Sequence, residues 1–165
     1  MTRKTRIRAA LVTATALVTA ATVTAGVSAA GSEKAHKPSK KQIAALFDGW
    51  NAALRTGDPE KVADRYAKDA VLLPTLSNKV RTDRAGIVDY MEHFLENKPV
   101  GKKIETHVNV LDGNSALDSG VYQFTLTDHA TGKKRVVEAR YTYEYEKRGG
   151  KWLIVNHHSS AMPEG

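Results

Sequence analysis

RVVEARYTYEYEKRGGKWLIVNHHSS, residues 135–160, is the stretch whose reading decides the fold. Its period is two: Ala139, Tyr141, Tyr143 and Tyr145 fall on one side of an extended chain, and Glu138, Arg140, Thr142 and Glu144 on the other. Gly149-Gly150 interrupts the alternation with two residues that accept a left-handed turn, so the segment reads as a long hairpin of strands 135–147 and 152–160. Upstream the same period holds over 104–111 and 116–127, with turn signals at Asp112-Gly113-Asn114 and Thr131-Gly132. Four long strands joined by tight turns predict an antiparallel meander.

Before residue 100 the period is helical. Ile43, Leu46, Phe47, Trp50, Ala53 and Leu54 recur on one helical face; Ser39 and Gln42 have capping-box spacing, and Gly57 is placed to end the helix. Asp58-Pro59 opens a shorter helix whose buried stripe would be Val62 and Tyr66. Residues 70–73 form a short apolar run stopped by Pro74, as suits a strand. Thr82 can cap a third helix with Ile87, Tyr90, Met91, Phe94 and Leu95 inward and Asp89, Glu92, His93 and Glu96 in solvent. About three N-terminal helices followed by a meander predict an α+β fold, with the helices packed on one face of the sheet.

The first residues read as an export signal. Arg3, Lys4, Arg6 and Arg8 precede an uncharged run over 9–25, and Val27 and Ala29 supply the small residues of a cleavage site. The run is short for a membrane span and is diluted by five threonines. Residues 1–29 are thus expected to be removed, 30–40 to form a flexible leader and 41–165 to form one domain in a secreted, extracytoplasmic protein that keeps no membrane anchor. Cleavage removes four basic residues and lowers the formal charge from +7 to +3, with Lys34, Lys37, Lys40 and Lys41 in or beside the leader, which argues against a nucleic-acid footprint. The chain has no cysteine, so no disulfide supports its core.

The residues then carry a resemblance. Trp50-Asn51-Ala52-Ala53-Leu54, Thr56-Gly57-Asp58, Leu72-Leu73-Pro74-Thr75, Ser77-Asn78 with Arg81, Asp89-Tyr90, Ala139-Arg140-Tyr141-Thr142-Tyr143 and residues 150–160 with Met162-Pro163-Glu164 are similar to the nuclear transport factor 2-like, or SnoaL-like, superfamily. Within it the chain resembles the calcium/calmodulin-dependent protein kinase II association domain family, and there the bacterial SgcJ/EcaC-like members, from about residue 40 to the end. The resemblance implies a curved sheet folded into a cone around the helices, a pocket in its open end, and dimers or larger rings. It also favours His158 over His157 as the pocket histidine. Where the kinase hub carries an arginine in the last strand this chain has Ser159, so the hub's anion pocket is not carried over, and neither is any calmodulin-related activity.

The chemistry-bearing residues are few. His157 and His158 are adjacent and, on a regular strand, point to opposite faces, so they cannot chelate one ion; His93, His107 and His129 add no ligand spacing, and no metal site is expected. His158 would share its face with Trp152, Ile154, Asn156 and Ser160, and His157 its face with Leu153, Val155 and Ser159; periodicity alone leaves open which face is inward. Arg140, bracketed by Glu138 and Glu144, reads either as part of a surface ion-pair ladder or as a fork for an anionic ligand. Asn78 and Arg81 read as polar ligand contacts at the mouth, or as a turn residue and a partner of Asp83. Trp50 and Tyr66 read as core with a second use as pocket wall, and Tyr90, Tyr143 and Ser160 complete the set of candidate ligand contacts.

No nucleophile elbow, phosphate loop or dinucleotide fingerprint is present, and no cofactor is expected. Catalysis would have to be acid–base, with His158 transferring protons, Asp118 or Glu138 orienting it, and Arg140 or Arg81 stabilising negative charge. Two functions are weighed: a self-associating module binding an unidentified small molecule, and an acid–base enzyme acting on a hydrophobic cyclic or polyketide-like substrate.

Overall fold

The computed structural model describes residues 37–164, all within the second of two compact units that divide at Ser32 and Glu33. The expected signal segment and most of the leader lie outside the described residues. Ser39 opens α1 (Lys40–Ala44) with the anticipated capping box: its Oγ accepts from Gln42 N at 3.2 Å while Gln42 Oε1 accepts from Ser39 N at 2.8 Å. Ala45 keeps helical dihedrals, so α2 (Leu46–Leu54) continues the same apolar stripe and buries Phe47, Trp50 and Leu54. Asp58 caps α3 (Pro59–Ala63), accepting from the amides of Glu60 and Lys61.

Here the chain departs from the helical reading, for Tyr66 opens strand β1 (Tyr66–Leu73) instead of extending the stripe of α3. The amide of Ile154 donates to Arg65 O at 2.9 Å, so the backbone of residue 65 is taken by the sheet and the helix stops. A turn then leads to α4 (Arg84–Leu95), capped by Asp83 in place of Thr82, with Ile87, Met91 and Leu95 buried. The meander follows as β2 (Val100–Val110), β3 (Ser115–Thr127), β4 (Lys134–Arg148) and β5 (Lys151–Ala161). The five-stranded sheet has the order β1-β5-β4-β3-β2; its strands pair antiparallel except β1, which runs parallel to β5 along the edge.

Two bulges within the meander shape this curved, unclosed sheet. In β5, Tyr145 of β4 faces Ile154 while Glu144 faces Asn156, which leaves Val155 without a partner. An unpaired residue reverses the alternation beyond it. Ile154 and His157 therefore both point to the helices, and His158 points away. In β2, the register shifts between Lys103 and Glu105 and presses the backbone onto β3, so that a Cβ on Gly120 would lie 2.0 Å from Glu105 O. The inner face of the sheet carries Tyr122, Phe124, Leu126, Tyr141, Tyr143 and Tyr145, all buried under the helices. Asn51 ties the two layers together, its Nδ2 donating to Gly101 O at 2.7 Å and its Oδ1 accepting from Gly101 N at 2.8 Å.

Candidate functional site

A cavity of about 460 Å³ opens between α4 and the inner face of the sheet. Its walls are apolar: Tyr90, Met91 and Phe94 come from α4, Phe124 and Leu126 from β3, and Trp50 from α2. The long aromatic run of the meander and the helical stripe of α4 create this lining, because each presents its apolar face to the same interior. At the mouth stand Leu76 and Met162, exposed at 62% and 38%, with Arg135 and Glu138 on the strand end.

Polar atoms enter in one connected chain. Trp50 Nε1 donates to Tyr66 Oη at 3.0 Å, and Tyr66 Oη lies 2.9 Å from His157 Nδ1. On its other side His157 Nε2 is 3.5 Å from Tyr122 Oη, which donates to Ser159 Oγ, and Ser159 Oγ meets Thr75 Oγ1 in the loop after β1. His157, Tyr122, Ser159 and Thr75 all line the cavity. His157 is 4% exposed, stacked on the Tyr143 ring at 4.1 Å between centroids and met edge-on by Trp50 at 5.5 Å. Burial, with a smaller contribution from neighbouring His158, pushes its pKa down to about 3, so the ring is neutral at physiological pH. Burial likewise raises the phenols of Tyr66, Tyr122 and Tyr143, and that of Tyr90 to about 12.

The residues picked from sequence do not all come together. Trp50, Tyr90 and Glu138 line the cavity, and Tyr66 and Tyr143 stand directly behind it against His157. Arg140, His158 and Ser160 lie on the outer face: Arg140 is opposite Ser160 and donates to its Oγ from Nε at 3.2 Å, and His158 is opposite Thr142. This corrects the resemblance-based choice of His158, which is exposed; the bulge at Val155 hands the inward position to His157. Arg140 has no carboxylate partner within ion-pair range among the described residues, so the expected ladder with Glu138 and Glu144 does not form, and Glu138 instead accepts from Gln123 Nε2 at 3.2 Å. Asn78 is exposed on the loop. Arg81 is nearly buried and pairs with Asp89, not Asp83, holding the Asp89 carboxyl below its usual range, with its guanidinium 6.0 Å from the Tyr90 ring.

Asp118 orients neither histidine. It is fully buried on the inner face, where Lys103 Nζ lies 3.2 Å from Oδ2 and Tyr141 Oη donates to Oδ1 at 3.0 Å. Burial raises its carboxyl above the usual value, against the pull of Lys103 and Tyr141. Lys103 Nζ also donates to Ala44 O at 2.5 Å and sits over the Phe47 ring, which closes the cluster off from the cavity. Among the described residues no group of three or more His, Asp or Glu is arranged to hold a metal ion. Sequence reasoning missed His157, Tyr122 and Thr75. The inward parity of Tyr122 was present in the alternation of β3, but the bulge that turns His157 inward carries no residue signature.

The chain belongs to the calcium/calmodulin-dependent protein kinase II association domain family, whose sequence model matches residues 39–163, and its fold is nuclear transport factor 2-like. A solved protein from Xanthomonas campestris, provisionally described as such an association domain, is 60% identical, with 80% of this chain and 96% of that one covered and a TM-score of 0.76. The association domain of the Caenorhabditis elegans kinase shares the fold at 13% identity, with coverage of 74% and 95% and a TM-score of 0.61. A candidate scytalone dehydratase from Novosphingobium aromaticivorans does so at 13% identity, with coverage of 74% and 83% and a TM-score of 0.66. No curated protein gives a significant match.

Proposed function

We propose that this protein is an exported, self-associating module that holds a small, largely apolar molecule in the cavity beside His157. The observation that carries the reading is the cavity itself: about 460 Å³, walled by aromatic and aliphatic side chains, with a short line of hydrogen-bonding groups converging on it. Small-molecule sites have this composition and fall in this size range, roughly 300–1,000 Å³. Self-association draws on family membership and on the outer face of the sheet, where Val100, Thr125 and Val136 make one row and His107, Ser119, Thr142 and His158 another. Self-complementary use of such a face gives a closed dimer, and head-to-tail use gives a ring where the rotation closes.

A second reading, acid–base chemistry on a hydrophobic cyclic substrate, is favoured by a buried histidine in the cavity wall. Its expected partners are engaged elsewhere: Asp118 in another cluster, Glu138 with Gln123, Arg140 on the other face and Arg81 with Asp89. Native mass spectrometry of a chain beginning at Ala30, made with export and purified gently, tests the proposal. A dimer or larger ring carrying extra mass supports it; a monomer that retains and takes up no small molecule contradicts it, and a monomer that turns over an added cyclic ketone substitutes the enzyme reading.

A further inference from the structure

We infer that the inner end of the cavity selects an uncharged aromatic ketone or similar carbonyl compound, placing the carbonyl oxygen against His157 Nε2, and rejects a carboxylate at that end. This deepens the proposed ligand-binding role and rests on it. The polarity of the site begins at Trp50, whose indole nitrogen can only donate. Tyr66 Oη receives that proton at 3.0 Å, and its own hydroxyl proton has one acceptor among the described residues, His157 Nδ1 at 2.9 Å. Nδ1 is therefore the bare nitrogen, and the neutral ring carries its proton on Nε2, on the side of the cavity-lining Tyr122.

Nε2–H is poorly used within the protein. Tyr122 Oη is 3.5 Å away, at the far limit for a hydrogen bond, and Tyr122 spends its proton on Ser159 Oγ. The hydroxyls of Ser159 and Thr75 share one bond between them, so one of their two protons is also left over. The inner wall thus keeps two protons free to donate, Nε2–H and one hydroxyl, and a carbonyl oxygen can accept both. Trp50, Tyr90, Phe94 and Phe124 supply flat apolar surface for the body of the ligand.

Among the described residues no cation lines this end: Arg81, bridged to Leu72 next to His157, is held by Asp89. The charged wall residues, Arg135 and Glu138, are on the mouth side of β4, and Glu138 is five residues along the strand from Tyr143, the partner of His157. At the rise of an extended chain that is roughly 16 Å. A carboxylate against His157 would be desolvated with only neutral donors facing it, which costs more than a carbonyl in the same place.

Three bicyclic probes of similar shape decide the matter: 2-acetylnaphthalene, 2-ethylnaphthalene and 2-naphthoate, titrated at pH 7.5 while tryptophan fluorescence is followed. The ketone is expected to bind about 5–10-fold tighter than the hydrocarbon, the worth of one hydrogen bond, and the naphthoate more weakly than the ketone. In His157→Phe, which keeps a ring over Tyr143, the ketone preference should fall to about 1-fold, and His157→Gln, with an amide N–H near the same place, should restore part of it. Equal affinities for ketone and hydrocarbon in the unsubstituted protein, tightest binding of the naphthoate, or a preference that survives in His157→Phe each overturn the inference while the cavity remains a binding site. Binding of none of the three overturns the ligand-binding reading itself.

Discussion

The inner face of the sheet buries polar side chains in two places, and it treats them differently. Around Asp118 the groups are charged and close on themselves: the carboxylate is met by Lys103 and Tyr141, and Lys103 is met again by Ala44 O. Around His157 they are neutral and end open, running from Trp50 through Tyr66 and the imidazole to donors on a cavity wall. The groups named in both arrangements have partners, as buried polar groups need, whereas the buried hydroxyls of Tyr143 and Tyr145 on the same face have none among the described residues. The difference lies in what is left over. A closed charged cluster has nothing to offer a ligand, and its contribution is structural; a neutral chain with a surplus proton at one end is a fixed dipole waiting for an acceptor.

That contrast gives a ranked set of substitutions. The largest effect is expected from Lys103→Met, which strands a buried carboxylate and should cost about 3 kcal/mol or more in urea unfolding, with most of the loss recovered when Asp118→Leu is added. Ligand binding at the cavity should be unaffected in the double variant. His157→Phe should cost less at neutral pH, about 1–3 kcal/mol, because it leaves the Tyr66 hydroxyl without its acceptor.

The two regions also part in their pH dependence. The His157 pKa is depressed to about 3, so between its ordinary value and about 3 the unfolded chain binds a proton that the folded chain does not. Its contribution to stability is whole above about pH 6.5 and is lost as the pH falls, by about 1.4 kcal/mol per unit through that window. The raised carboxyl of Asp118 works in the opposite sense, binding its proton more readily when folded, so its burial costs stability as the pH rises. Subtracting the stability–pH curve of His157→Phe from that of the unsubstituted protein should isolate the histidine's slope, and a flat difference between pH 4 and 7 would contradict its burial as a neutral ring. The smallest effect is expected from His158→Ala on the outer face: within about 0.5 kcal/mol in stability, with no change in probe affinity.

Much of the fold was legible because the physics is local. Capping by Ser39 and Asp58, the apolar stripe of α2 and α4, and the alternation of β3 and β4 each follow from residue types at fixed spacing. Tyr66 shows where local reasoning ends: four residues after Val62 it fits a helix, yet a hydrogen bond from Ile154, distant in sequence, ends the helix first. The site failed at one residue for a related reason. With strict alternation His158 and Ile154 share a face, and a single unpaired Val155 breaks that relation without any Gly or Pro to announce it. Arg140 was bracketed by acids along its own strand, but its partner came from across the sheet, at Ser160.

The state of His157 is the most direct test of how this site works, and nitrogen-15 NMR of histidine-labelled protein reads it. From pH 5 to 8 the ring should show a protonated Nε2 and a bare Nδ1, with no titration. A ring that titrates near its ordinary pKa, or that carries its proton on Nδ1, would contradict the neutral donor on which the cavity's selectivity depends.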